Sequence, residues 1–321
     1  MTMKKKYDMR RDIVRRKNTF FRRFAVCVLI IAVAAAIAIP VYRFVHSRTA
    51  SSVKIDDIYA QWNAGRYEAV YDMTSLILEK KILHNTALTF RGYAGFYLAV
   101  AQTDTVQAQS YLDESINCLR VALLSAKKSV QPQIMYMLGK AYFYKNTLSA
   151  YHYYSDLAVA YLGAAQDAGY SADDIPEYLG LSYAALGMTR ESIAAFTEAL
   201  LVRESDVLLL SIAEQYYKNG QPTAAKAYLH RINMDSSDDV LKLKSHALLG
   251  QIYLDEKNFS EALAEFQTIL EKDPNSADAY YGIGVIYENR GDLIKARAEW
   301  RKALRIDVNH QGALKKMAEY K

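Results

Sequence analysis

The chain has 321 residues, 51% of them apolar and 23% charged, with only five prolines and fourteen glycines. This composition excludes a disordered or collagen-like chain and argues against turn-dense all-β architecture. The formal charge of +5 belongs to one end. Residues 1–24 hold ten Lys and Arg against Asp8 and Asp12, and the remainder is slightly acidic, so nucleic acid is not an expected partner of the main domain.

In chain order, a basic leader (1–23) precedes FAVCVLIIAVAAAIAIPVY, nineteen uncharged residues between Arg23 and Arg43. As a helix this run spans roughly 28 Å at about 1.5 Å per residue, close to a hydrocarbon core of about 30 Å. Residues 24–45 therefore read as a transmembrane helix, with Pro40 near its far end and Tyr42 and Phe44 at the interface. The run is longer than the apolar part of a cleaved signal peptide, about 7–15 residues, although Ala36-Ile37-Ala38 has the form of a cleavage site. The expectation is an uncleaved, single-pass anchor in a bacterial cytoplasmic (inner) membrane. The positive-inside tendency keeps the leader in the cytoplasm and puts the rest of the chain in the periplasm. The leader is also placed to meet anionic lipid headgroups. HSRTASS, residues 46–52, reads as a polar linker.

Beyond it the chain repeats itself. Gly284 lies 34 residues after Gly250, and the same interval separates Tyr287 from Tyr253, Ala296 from Ala262, Trp300 from Phe266, Leu304 from Leu270 and Asp307 from Asp273. Small residues at these spacings let helices approach one another, aromatic residues fill the space between neighbours, and Gly291 or Lys257-Asn258 marks a turn. Asp273-Pro274 ends a helix, because proline disfavours helical geometry in the residue before it.

This pattern resembles the tetratricopeptide repeat family, with two antiparallel helices per 34 residues. The resemblance is specific over 243–310. It continues through 173–205, where Ser192 stands in place of the usual alanine, and through 206–239. In 132–170 the second helix is delayed, with Tyr151, Tyr153, Tyr154 and Tyr161 as a cluster that includes core positions. Residues 85–128 fit a longer hairpin with an extended loop near 102–110, and 53–84 a first, irregular repeat. Residues 277–310 form the last repeat, and 311–321 read as a capping helix with Ala313, Leu314 and Met317 on one face. The fold expected is all-α: a transmembrane helix, then a right-handed α-solenoid of about seven hairpins (53–310) and the cap.

No reaction site is legible. The six histidines form no H-E-x-x-H pair, no phosphate loop or G-x-S-x-G occurs, and neither Cys27 nor Cys118 has metal-ligand spacing. His246 reads as a packing residue, and Asp173-Asp174 as helix-start capping. The expectation is no enzyme, no metal and no cofactor.

The resemblance implies a binding groove lined by the first helices of the hairpins, and carries its groove positions onto Tyr136, Lys140, Phe143, Tyr144, Leu181, Leu210, Glu214, Tyr217, Gln251, Tyr281, Val285 and Glu288. Asp174, Asp255 and Asp278 fall on the same set. This lining is apolar and aromatic with scattered charge, suited to an amphipathic helix or an extended protein segment. Three readings stand side by side: a membrane-tethered protein-binding scaffold, a structural subunit of a large envelope machine (secretion, division, polysaccharide export or flagellar motor), and a sensor of small envelope ligands.

Overall fold

The computed structural model describes residues 53–149 and 154–320. The predicted leader, transmembrane segment and linker (1–52), with Cys27, lie outside the described residues, as do Tyr151 and Tyr153. Among the described residues no helix is long and apolar enough to cross a membrane.

All regular structure described is helical. Fourteen helices pair in sequence into seven hairpins: α1 Ile55–Asn63 with α2 Tyr67–Leu78, α3 Asn85–Ala101 with α4 Thr105–Ser125, α5 Gln131–Leu148 with α6 Ser155–Asp167, α7 Ile175–Ala185 with α8 Thr189–Val202, α9 Asp206–Lys218 with α10 Pro222–Asp235, α11 Asp239–Asp255 with α12 Phe259–Lys272, and α13 Ala277–Asn289 with α14 Leu293–Ile306. A last helix, α15 Gln311–Glu319, packs on α14.

The boundaries have local causes. The side chains of Ser205, Asp238 and Ser276 each accept a backbone N–H in the first turn of α9, α11 and α13, satisfying donors a helix start leaves orphaned. Four hairpins turn through a glycine of positive φ (Gly65, Gly187, Gly220, Gly291). The hairpin of α11 and α12 makes the same turn with Lys257 at φ 62°. The extended loop expected near 102–110 is not there. Asp104 caps α4 by accepting from Val106 and Gln107 at 2.8 and 3.3 Å, so the helix begins at Thr105.

The repeated small residues meet large ones. A Cβ on Gly180 would enter the ring of Phe196, and one on Gly284 the indole of Trp300. Gly282 instead abuts Phe266 of the preceding hairpin, whose ring also touches Gly250. The Gly282-Ile283-Gly284 tripeptide thus packs one glycine backward and one forward, joining successive hairpins. Ser192 is fully buried at its departure from alanine and is satisfied there, its hydroxyl donating to the Gly180 carbonyl at 2.8 Å. Tyr142 is buried with the rings of Tyr154 and Tyr161 stacked at 6.2 and 5.6 Å. On the cap, Ala313 and Met317 join Trp300 in the core, whereas Leu314 is left exposed.

Candidate functional site: the inner face of the first helices

Each first helix packs against the first helix of the next hairpin, and the second helices make no comparable contact with each other. The first helices therefore form the tighter, inner wall, the surface such stacks use for binding.

On this wall α3, α5 and α7 build an aromatic cluster around one cation. The Lys140 ammonium lies 5.0 Å from the ring centroid of Tyr178, 5.1 Å from that of Tyr136 and 5.6 Å from that of Phe96. It donates to Asp174 Oδ2 at 2.8 Å and to the Tyr136 hydroxyl at 3.1 Å. Tyr136 in turn donates to Asp174 at 2.7 Å. Asp174 stands at the start of α7 but makes no side-chain cap there, so its predicted capping role is replaced by this link to α5. Phe143 meets the Tyr178 ring edge-on at 4.9 Å, and the hydroxyls of Tyr144 and Tyr178 are 3.3 Å apart. Burial, reinforced by the hydrogen bond to Asp174, raises the Tyr136 pKa far above the usual tyrosine range. Burial and the Tyr144 hydroxyl do the same for Tyr178.

Four of the expected groove residues, Tyr136, Lys140, Phe143 and Tyr144, thus converge. Because the Lys140 side chain is 12% exposed and already paired, it holds the cluster together and offers little free charge. The rings face one another across three hairpins; over the buried Phe96, the half-buried Tyr136, Phe143, Tyr144 and Tyr178 present an apolar surface edged with hydroxyls. Sequence spacing missed Phe96 and Tyr178, with Tyr97, edge-on to Phe96 at 5.4 Å, and Tyr170, in the loop before α7 with its ring 5.0 Å from that of Tyr136, although aromatic residues recurring on α3, α5 and α7 were visible as a signal.

The other expected residues scatter. Leu181 packs toward Phe196 and Leu208. Leu210 is buried in the core between α9 and its neighbours, because α9 buries Leu208, Leu209 and Leu210 together; its predicted groove position is corrected. Glu214 is exposed. Tyr217 donates to Asp255, which also accepts from Gln251 at 2.8 Å, a second polar link between successive first helices. Burial and the Asp255 hydrogen bond push the Tyr217 pKa up to about 12. Val285 is half-buried. Tyr281 lies under the cap, 5.0 Å from the His310 ring and against Gly312. Glu288 accepts from Lys316 at 2.8 Å and from Tyr320 at 2.6 Å. The last hairpin's inner face is therefore engaged by the chain itself, and the open part of the wall lies upstream. His246, read as a packing residue, is half-buried and contacts Glu265 at 2.5 Å.

Upstream, a cavity of about 530 Å³ opens between α1, α3 and the start of α5, within the range of about 300–1,000 Å³ usual for ligand pockets. Tyr59, Trp62, Phe90 and Tyr93 give it an aromatic floor, and Asn63, Thr86 and Gln133 stand among its polar walls. The buried Tyr93 hydroxyl has no hydrogen-bond partner among the described residues. Among those residues no group of three His, Cys, Asp or Glu is placed to hold a metal ion.

Residues 248–308 match the family model described as tetratricopeptide repeat. Over 74 residues the chain is 36% identical to Superkiller complex protein 3 of Mus musculus, covering 22% of this chain and 5% of that protein. Over 135 residues it is 30% identical to Tetratricopeptide repeat protein 8 of Caenorhabditis elegans, covering 40% of this chain and 26% of that one. The chain thus spans a small part of these curated relatives. Among solved structures, the C-terminal part of a TPR repeat-containing protein from Cytophaga hutchinsonii is similar with a TM-score of 0.53 and 15% identity, over 82% of this chain and 98% of that one. This likeness concerns the fold.

Proposed function

We propose, from the premise that this chain is a tetratricopeptide repeat protein, that it is a non-enzymatic scaffold holding a segment of another protein against the inner face of α3, α5 and α7. Proteins of this family generally bind protein partners. The observation that supports placing the contact here is the convergence of Phe96, Tyr136, Phe143, Tyr144 and Tyr178 around a Lys140 already neutralised by Asp174. With its cation paired, the wall favours an amphipathic helix or extended segment presenting apolar side chains and few charges. The adjoining cavity would take one bulky side chain of that segment.

In the same reading, residues 24–45 anchor the scaffold in the cytoplasmic membrane and the repeats stand on the periplasmic side. Whether the scaffold is a transient adaptor or a fixed subunit of an envelope machine is decided by stoichiometric co-migration with a large complex. The aromatic-floored cavity favours a second reading, recognition of a small envelope ligand, and thermal stabilisation by cell-wall fragments would support it.

The test is crosslinking of the full chain in its native membranes, comparing partner recovery by wild type with Tyr144→Ala and with Tyr178→Ala. Recovery falling for both and persisting for Glu214→Ala supports the reading. Unchanged recovery in all three removes this face from it.

A further inference from the structure

We infer that the edge of the first two hairpins docks on an anionic lipid surface, so that the repeats lie against the bilayer at their first end. Every second helix ends, and every first helix begins, along one edge of the stack. At the first two hairpins that edge exposes three large apolar side chains: Ile82 and Leu83 in the loop after α2, at 74% and 75% exposure, and Leu124 in the last turn of α4, at 87%. The two elements are fixed side by side. The Asn85 amide donates to the Ala122 carbonyl at 2.6 Å and to the Ser125 hydroxyl at 3.0 Å. Lysines accompany them: Lys81 precedes Ile82, and Lys127 and Lys128 follow Leu124. Lys54, at the start of α1, brings the chain in at the same edge. Glu79, Asp56 and Asp57 share the edge and reduce its positive charge without reversing it.

What sets this end apart is the company these exposed aliphatic side chains keep with ammonium groups. A surface lipid contact uses both, with the apolar tips entering the headgroup region and the lysines meeting lipid phosphates. The fourth and fifth hairpins expose apolar residues on the same edge without this charge. Met234 is flanked by Asp235, Asp238 and Asp239, and Leu201 and Val202 by Arg203, Glu204 and Asp206. An anionic surface would attract the first end of the solenoid and repel its middle, holding the stack tilted with its inner wall open to a partner.

The proposal extends the reading of residues 24–45 as an anchor but stands or falls separately from it, and one experiment tests both. The full chain, with Cys27→Ala and Cys118→Ala, is reconstituted with vesicles of phosphatidylglycerol or of phosphatidylcholine. A fluorophore is placed on cysteine introduced by Ile82→Cys, Leu124→Cys or, as a distant control, Ile294→Cys, which is 86% exposed in the native residue. Quenching is then read from lipids bearing a headgroup-depth quencher. Docking predicts strong quenching at 82 and 124 in phosphatidylglycerol and little at 294. Each lysine changed in Lys81→Glu, Lys127→Glu or Lys128→Glu should lower the docked-to-free ratio at least about fivefold. Flotation with both vesicle types, without quenching at 82 or 124 above that at 294, overturns docking and leaves the anchor standing. Flotation with phosphatidylglycerol alone, reversed by salt and retaining the quenching, supports docking and overturns the anchor. Flotation with neither overturns both.

Discussion

Adding one methyl group at Gly282 should loosen the junction between the last two hairpins. A Cβ there would stand 2.5 Å from both Cε2 and Cζ of Phe266, whereas carbon atoms rest at about 3.5–4.0 Å. The ring must therefore withdraw by roughly 1 Å. Its room is limited, because the same ring also lies against Gly250, where a Cβ would come within 2.8 Å. Phe266 is 5% exposed and wedged between α11 and α13. Overpacking of such a site costs about 1–3 kcal/mol, which in a unit of this size lowers Tm by roughly 2–4 °C per kcal/mol. Thermal and urea unfolding of Gly282→Ala in the full chain measure the loss. Because hairpins contact only their neighbours, hydrogen exchange should rise first in α11, α12 and α13. Phe266→Leu, which shortens the wedge, should offset part of the loss, so the double variant is more stable than the sum of the singles predicts, by about 1 kcal/mol. A Gly282→Ala protein as stable as wild type, or strict additivity with Phe266→Leu, would refute the wedge.

Lys257 occupies the left-handed turn that glycine fills in four other hairpins, so Lys257→Gly should stabilise the α11–α12 hairpin by about 0.5–1 kcal/mol in denaturant unfolding, relief of φ strain exceeding the added chain entropy; a loss of stability would contradict it. Arg91 ties three helices together, bonding Glu114 at 2.6 Å, the Tyr71 carbonyl at 3.0 Å and the Ser75 hydroxyl; Arg91→Ala should cost about 2 kcal/mol, discounted for the partial exposure of Glu114, and expose α2 to proteolysis first. Burial above all, aided by acceptors such as Asp174, Asp255 and Glu114, raises the pKa of Tyr71, Tyr93, Tyr97, Tyr136, Tyr178 and Tyr217. These groups hold protons in the folded state that the unfolded chain releases near pH 10. Stability should be full below that pH and fall as pH climbs above it, with the ring-carbon NMR signals of these six tyrosines moving to the tyrosinate position only together with unfolding; tyrosinate forming at these six positions in a chain that stays folded would contradict the burial argument.

What was legible in the sequence was the repeating frame. The 34-residue interval between Phe266 and Trp300, and between Gly250 and Gly284, is a spacing one helix imposes on its neighbour, and it survives reading as a string. Where the reading failed, the partner lay elsewhere. Asp104 is a plain helix-capping signal that a weakened frame obscured. Asp174 looks like a cap from its place before α7, but its carboxylate is taken by Tyr136 and Lys140, 38 and 34 residues back. Leu210 sits at a groove position by count, yet α9 is covered on that side. Tyr281 and Glu288 occupy an inner wall that the cap closes, through Gly312, Lys316 and Tyr320, which no count of repeat positions anticipates. The inner wall itself was foreseeable; which stretch of it stays open depends on contacts between hairpins.

The most direct measurement is site-specific photocrosslinking in intact cells, with a photoreactive phenylalanine analogue replacing Tyr144 or Tyr97 on the inner wall, or the exposed Thr197 or Gln267 on second helices. Discrete protein adducts from positions 144 and 97, absent from 197 and 267, are the result expected of a partner lying along α3, α5 and α7. Adducts arising from 197 and 267, with none from 144 and 97, would place the partner on the outer face and contradict the account.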